Sequence, residues 1–183
     1  AVAGDSFMPC EKTAKTLPAG QYTINYSDDR GTYFERKDIN IDNLLELPDS
    51  ASEDVLSNIT EFWEKEQLFR DMGFLWKRGV LLWGPPGSGK TSLVQMVSKR
   101  IVDKGGISVY VTAPRLVAKG LSILRKIEPT RPVVVMIEDI DAVIRDFGES
   151  EVLALLDGEL QIDNVVFIAT TNYPERLDGR LIN

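Results

Sequence analysis

The stretch GVLLWGPPGSGKTSL, residues 79 to 93, decides how this chain folds. It begins with an apolar run typical of a buried β-strand, and a helical pattern starts near Gly89. Between them, residues 84 to 91 fit G-x-x-x-x-G-K-[ST]. Glycines in this pattern let backbone N–H groups turn inward on an anion, at the positive end of the helix. The sequence therefore predicts a phosphate-binding loop between a strand and a helix.

The chemistry of this loop assigns its residues to nucleotide binding. Lys90 is predicted to reach the β- and γ-phosphates of ATP, and the Thr91 hydroxyl to bind Mg²⁺. The predicted nucleotide-binding residues are Gly84, Pro85, Pro86, Gly87, Ser88, Gly89, Lys90, Thr91 and Ser92. ATP and Mg²⁺ are therefore the expected ligands.

A second motif, VVVMIEDIDAV at residues 133 to 143, reads as a buried strand that ends in Glu138 and Asp139. A nucleotide-hydrolysing site needs an acid for the Mg²⁺ shell and a polar group that orients the attacking water. We assign Glu138 to the metal and Asp139 to the water, because neighbouring side chains diverge at a strand end. A rival register makes Asp139 the metal-side acid and gives Asp141 a part in catalysis. Asp141 is equally well explained as a helix N-cap.

From Gly79 onward, short apolar runs alternate with helical patterns, which is typical of a parallel sheet with crossover helices. The predicted strands are residues 79 to 83, 107 to 112, 132 to 137 and 164 to 170. The predicted helices are residues 50 to about 69, 89 to 102, 115 to 127 and 149 to 157. Upstream, residues 1 to 20 read as an irregular arm, and QYTINYSDDRGTYFERKDI as a β-hairpin. The fold class is therefore α/β, with a small N-terminal hairpin before the parallel sheet.

Composition limits the partners and the compartment. A net charge of −7 and a pI near 4.7 argue against a surface devoted to nucleic-acid phosphates. One cysteine, Cys10, and no histidine exclude an internal disulfide and imidazole chemistry, and a reducing, cytoplasmic location is expected. No apolar run approaches the roughly 20 residues that span a bilayer, so no membrane segment is expected in this chain.

Together, GPPGSGKT, MIEDIDAV and VVFIATTNYPERLD resemble the AAA ATPases of the AAA+ superfamily. The Glu-Asp order in EDIDA and the run LLDGELQIDNVVFIATTNYPERLD are most similar to the branch containing the mitochondrial chaperone that translocates the Rieske iron-sulfur protein. In that branch this order belongs to working ATPases. The resemblance covers about residues 42 to 182 and implies a P-loop NTPase three-layer sandwich. It divides the chain into an arm and hairpin, residues 1 to 41, and an AAA large subdomain, residues 42 to 183.

The resemblance also implies a strand order and further roles. It places strand 79 to 83 beside 164 to 170, with 132 to 137 beyond it and 107 to 112 at the edge. Asn172 matches the sensor-1 position, which helps to hold the hydrolytic water, although a turn-capping Asn is the alternative. The predicted catalytic residues are Lys90, Glu138, Asp139 and Asn172. The implied activity is that of an ATPase in a homo-oligomeric ring, a hexamer or heptamer, that remodels or translocates a protein client.

Two features depart from the family pattern. The usual fifth strand, arginine fingers and helical lid are not in this sequence. Because loss of an arginine finger slows phosphoryl transfer by about 10³- to 10⁵-fold, hydrolysis is expected to need the full-length oligomer. A nucleotide-sensing scaffold without turnover is a further alternative.

The second departure is APRLVAKGLSILRKIEPTR, residues 113 to 131, which lacks the aromatic residue of protein-threading relatives. The basic residues of this segment are Arg115, Lys119, Arg125, Lys126 and Arg131. They form either a solvated helix face or a basic surface that faces the axis of the ring. The second interpretation keeps open a nucleic-acid-directed AAA+ ATPase, such as a clamp or helicase loader.

Overall fold

The computed structural model describes residues 2–3, 6–7, 14–38, 50–157, 160 and 162–182. The strands, in chain order, are β1 (Val2–Ala3), β2 (Ser6–Phe7), β3 (Gly20–Ser27), β4 (Gly31–Lys37), β5 (Lys77–Trp83), β6 (Ile107–Tyr110), β7 (Val133–Ile137) and β8 (Val165–Thr171). The helices are α1 (Ser50–Glu64), α2 (Glu66–Asp71), α3 (Lys90–Asp103), α4 (Pro114–Ile127), α5 (Ile140–Phe147), α6 (Glu149–Asp157) and α7 (Gly179–Ile182), and Pro174–Arg176 is a 3₁₀ turn. None of the described helices has the length and apolar character that a membrane span needs.

Six of the strands form one sheet in the order β4-β3-β6-β7-β8-β5, parallel except for the hairpin pair β3–β4. The predicted order of the four parallel strands is confirmed. The prediction that residues 107 to 112 form the edge is wrong, because β3 pairs in parallel with β6 and β4 lies outside β3. The hairpin therefore extends the sheet that carries the phosphate loop.

Helices cover both faces of this sheet. Strands β7 and β8 are buried along their whole length, as expected for parallel strands covered on both sides. On one face, α1 and α3 pack over Val134, Met136, Val166 and Ile168. On the other face, α4, α5 and α6 pack over alternate residues of the same strands. This arrangement is the predicted three-layer sandwich.

A glycine in α4 explains how the hairpin joins the sheet. A Cβ at Gly120 would lie 2.6 Å from the side chain of Ile24 on β3, so only glycine lets the helix approach this closely. Ile24 is fully buried there. The same helix thus covers β6 and the hairpin strand. The predicted division at residue 41 falls within residues 39–49, outside the described residues, and stays a prediction.

Three local features differ from the predicted elements. The predicted helix from residue 50 to about 69 is interrupted at Lys65, which separates α1 from α2. Helix α5 was not predicted, although its apolar residues Ile140, Val143 and Ile144 have helical spacing. In the arm, which was predicted to be irregular, β1 and β2 form a short antiparallel pair.

Candidate functional site

The phosphate loop is shaped by three glycines with positive φ. The φ angles of Gly84, Gly87 and Gly89 are 157°, 79° and 84°, values that side chains with a Cβ rarely adopt. Helix α3 then begins at Lys90 without a side-chain cap on its N-terminus. Of the backbone N–H groups from residue 87 to 92, only that of Ser88 has a backbone acceptor among the described residues. The loop therefore offers several free N–H donors at the positive end of a helix, which suits an anion.

Lys90 joins this loop to the end of β8. Its ammonium group donates to the carbonyl oxygens of Gly84 at 2.8 Å and Pro85 at 3.0 Å. It also donates to the Ser88 hydroxyl at 3.3 Å and to Oδ1 of Asn172 at 2.7 Å. Two predicted catalytic residues, distant in the sequence, are therefore in direct contact. Among the described residues, the Asn172 side chain bonds to Lys90, and it is the Thr171 hydroxyl that accepts the backbone N–H of Tyr173 in the turn.

Asp139 follows β7 in a left-handed backbone conformation, with φ of 47° and ψ of 59°. Its backbone N–H donates to the Thr170 hydroxyl at 3.0 Å, which ties the turn to β8. It is the N-cap residue of α5, although its side chain makes no capping hydrogen bond. The prediction that Asp141 caps this helix is wrong, since Asp141 lies in the first turn and accepts a hydrogen bond from the Thr171 hydroxyl at 2.8 Å.

Glu138 and Asp139 form the acidic turn between β7 and α5, and Glu138 lies on the side of this turn that faces α3. The Gln95 side chain donates to its carboxylate at 3.5 Å, and Gln95 follows Thr91 by one helical turn. Glu138 therefore faces the side of α3 that carries the Thr91 hydroxyl. Burial raises the pKa of Glu138; the hydrogen bond from Gln95 lowers it, and the neighbouring Asp139 raises it further. A divalent cation nearby would favour the charged form.

A cleft of about 400 Å³ lies between the phosphate loop and the ends of β7 and β8. It is lined by Pro86, Gly87, Ser88, Gly89, Lys90, Thr91, Ser92, Asp139, Thr170 and Asn172. Seven of the nine predicted nucleotide-binding residues line it, and the other two, Gly84 and Pro85, supply carbonyl oxygens to Lys90. Glu138 is not among the lining residues.

The donor groups fit a magnesium ion held together with a phosphate ligand. Among the described residues, no group of three or more His, Cys, Asp and Glu side chains is placed to bind a metal. Mg²⁺ commonly takes one or two protein oxygens and completes its shell with substrate phosphates and water. The Thr91 hydroxyl and the Glu138 carboxylate supply protein oxygens of that kind.

The basic segment, residues 113 to 131, is not uniformly solvent-facing. Arg125 donates to four carbonyl oxygens, those of Glu128, Arg131, Asp163 and Asn164. Arg131 donates to the carbonyl of Gly105 and forms an ion pair with Glu128 at 2.7 Å. Both arginines are therefore partly buried and bonded to the protein, so the interpretation of this segment as a solvated face does not describe them.

Sequence reasoning left several residues of the site without a role. Thr170, Thr171 and Gln95 each contact a predicted site residue or its neighbour. The two threonines stand directly before Asn172, and Gln95 lies one helical turn after Thr91. Their positions in the sequence, next to Asn172 or one helical turn after Thr91, were the signal that could have identified them as site residues.

Comparison with known proteins supports this geometry. The family described as "ATPase family associated with various cellular activities (AAA)" matches residues 80–183, more than half of the chain. A proteasome-activating nucleotidase of Saccharolobus islandicus is 34% identical over an alignment of 140 residues that covers 65% of this chain and 35% of the relative. An AAA-ATPase of Arabidopsis thaliana is 29% identical over an alignment of 160 residues that covers 75% of this chain and 31% of the relative. The chain thus spans about a third of the length of these relatives.

A solved structure resembles the chain in fold. PCH-2 of Caenorhabditis elegans superposes with a TM-score of 0.51 and 24% identity, over 76% of this chain and 42% of PCH-2. At this identity the likeness concerns the fold alone. The family match covers the phosphate loop from residue 84, the acidic turn and the end of β8. This chain therefore belongs to the AAA ATPase family.

Proposed function

We propose that this chain binds Mg·ATP in the cleft beside the phosphate loop and hydrolyses it. The observation that carries the proposal is the convergence of Lys90, Asp139 and Asn172 on one cleft at the carboxyl end of the sheet. Open α/β sheets bind ligands at that end. Phosphoryl transfer requires mainly positioning and charge stabilisation, and these three side chains with the loop N–H groups offer both.

Each residue has one role in this proposal. Lys90 exchanges its carbonyl partners for phosphate oxygens, and Asn172, its partner at 2.7 Å, helps to hold the hydrolytic water near them. Asp139 orients that water and accepts its proton. Thr91 and Glu138 would hold Mg²⁺, which would neutralise charge on the phosphates.

We further propose that the active form is a homo-oligomeric ring, a hexamer or heptamer, that remodels or translocates a protein client. The family membership supports an oligomeric ATPase, and the arginine that completes the site would come from a neighbouring subunit. The name of the Saccharolobus relative describes a nucleotidase that activates the proteasome, which supports work on proteins.

The nucleic-acid alternative loses its main support. It depended on a basic surface formed by the segment 113 to 131, yet Arg125 and Arg131 bond to backbone carbonyls of the protein itself. Arg115, Lys119 and Lys126 remain exposed, and Arg115 has an acidic neighbour, Glu151, at 3.6 Å. With a net charge of −7, the nucleic-acid function is the weaker of the two proposals.

The test of hydrolysis is Asp139→Asn in the full-length, assembled protein. ATP affinity should stay within about threefold of the unaltered protein, because the phosphate loop is untouched, while phosphate release falls about 10²- to 10⁴-fold. Asp146→Asn, an exposed acid on the helix that Asp139 begins, is the matched control and should retain turnover. If Asp139→Asn instead loses Mg·ATP binding while Glu138→Gln binds normally, the two roles are reversed.

A further inference from the structure

Three consecutive residues at the end of β8, Thr170, Thr171 and Asn172, each bond to a different residue in or beside the cleft. The Thr170 hydroxyl accepts the backbone N–H of Asp139, and the Thr171 hydroxyl donates to the Asp141 carboxylate. Asn172 accepts from Lys90. Thr171 is fully buried, although it has a polar side chain. This strand end therefore connects the acidic turn with the phosphate loop.

The direction of each hydrogen bond at Thr171 is fixed by its partner. An ionised carboxylate can only accept, so the hydroxyl donates to Asp141 at 2.8 Å. A backbone N–H can only donate, so the same hydroxyl accepts from Tyr173 at 2.9 Å. The backbone on both sides of Asn172 is thereby held, on one side by β8 and on the other by the bond to Tyr173. Without Asp141, the buried Thr171 hydroxyl would keep only its bond from Tyr173, and its own donor would lose its partner.

We propose that Asp141 is a positioning residue, which acts through Thr171 to hold Asn172 in place for Lys90 and the hydrolytic water. The inference rests on the proposed function. Asp141 itself lies in the first turn of α5, and the residues that line the cleft include Asp139 but not Asp141. Asp141 thus contributes an oxygen acceptor, and its negative charge is dispensable.

The distinction between acceptor and charge gives the experiment, performed on the full-length, assembled protein. Asp141→Ala removes the acceptor and Thr171→Val removes the donor with little change in shape. Each should lower kcat by about 10- to 100-fold with a small change in KM, because misplacement of a positioned group slows chemistry more than binding. The double variant should be no slower than either single variant, since both break one hydrogen bond.

The conservative variants should behave differently. Asp141→Asn keeps an acceptor oxygen and Thr171→Ser keeps the hydroxyl, so kcat should stay within about threefold of the unaltered protein. If Asp141→Asn is as slow as Asp141→Ala, the charge itself acts and the inference is wrong. Unchanged kcat in Thr171→Val also overturns it.

The experiment distinguishes a failure of this inference from a failure of the proposed ATPase function. If Thr171→Val does not fold, the comparison of Asp141→Asn with Asp141→Ala decides the matter alone, because neither changes the buried strand. A lack of phosphate release by the unaltered protein would contradict the proposed function and the inference together. Turnover by the unaltered protein, with Asp141→Asn as slow as Asp141→Ala, would contradict the inference only.

Discussion

Lys90 and Arg125 both donate to backbone carbonyls, at opposite ends of the same sheet. Lys90 lies at the carboxyl ends of the strands, where it reaches two loop carbonyls, a hydroxyl and Asn172. Arg125 lies at the amino ends of β7 and β8, and its hydrogen-bond partners among the described residues are all carbonyls, those of Glu128, Arg131, Asp163 and Asn164. The two cations therefore have hydrogen-bond partners of similar chemistry, yet they differ in their role in the protein.

The difference lies in geometry and burial. The guanidinium group of Arg125 presents its donors in a fixed plane, and all three of its nitrogens donate to carbonyls. Burial lowers the pKa of Arg125 to about 10, against the opposing effects of the Asp163 and Glu128 charges. Lys90 carries a point charge on a flexible stem and lines an open cleft, so its partners can be exchanged for phosphate oxygens. One cation is thus structural and the other is available to a ligand.

The largest effect is expected from Arg125→Met. Removal of the guanidinium takes a donor from four carbonyls, of which that of Arg131 keeps a second one, the Asn164 side-chain amide at 3.3 Å, so the free energy of unfolding should fall by about 3 kcal/mol. For a chain of this size, Tm should fall by about 10 °C. Thermal unfolding followed by circular dichroism measures both. Lys126→Met, the exposed neighbour on the same helix, is the control and should change stability by less than about 0.5 kcal/mol.

Arg125→Lys sharpens the comparison further. Lysine restores the charge but lacks the planar fork, so it cannot satisfy four separate carbonyls. Its stability should therefore lie between those of the Met variant and the unaltered protein. Full stability of Arg125→Lys would mean that charge alone matters at this end of the sheet.

A smaller effect, in a different quantity, is expected from Lys90→Ala. ATP affinity should fall about 100-fold, because two charge-assisted contacts with phosphate are removed. Stability should hardly change, since the carbonyls that Lys90 leaves can be hydrated from the cleft. Calorimetric titration with a slowly hydrolysed ATP analogue measures the affinity. Lys99→Ala, on the same helix and paired with Asp103, is the control, and equal affinity in both variants would remove the phosphate-loop assignment.

The site could be predicted well from the sequence because its chemistry is local. The phosphate loop is one continuous stretch, and Asp139 follows directly from a buried strand. Helical spacing in α4 also indicates that Arg125 points inward. Val117, Leu121 and Arg125 lie four residues apart on one face of α4, so the arginine follows the buried stripe. The inward position of Arg125 was therefore predictable.

The attachment of the hairpin was not predictable in this way. Strand β3 pairs with β6, which lies far away in the sequence, and no local pattern specifies a partner for a parallel strand. Its register depends on tertiary packing, including the contact of Ile24 with Gly120. The αL turn at Asp139 likewise depends on a hydroxyl from β8. These features arise from contacts between distant segments, which periodicity does not report.

The last and smallest effect concerns Glu138, a half-buried carboxyl group that differs from both cations because its side-chain partner is a neutral amide. Gln95 donates one hydrogen bond at 3.5 Å, and burial raises the pKa of Glu138, so the protein itself compensates this carboxylate poorly. A structural ion like Arg125 would have its partners within the protein. In the proposed function, the partner of Glu138 is the Mg²⁺ ion that arrives with ATP.

Glu138→Gln tests this interpretation because it removes the charge and keeps the shape. The variant should bind ATP about tenfold more weakly than the unaltered protein when Mg²⁺ is present, since one charged oxygen near the metal is lost. With EDTA in place of Mg²⁺, the two proteins should bind ATP alike. The ratio of the two affinities, measured by titration under both conditions, isolates the metal-dependent part. An equal loss with and without Mg²⁺ would mean that Glu138 supports the loop rather than the metal.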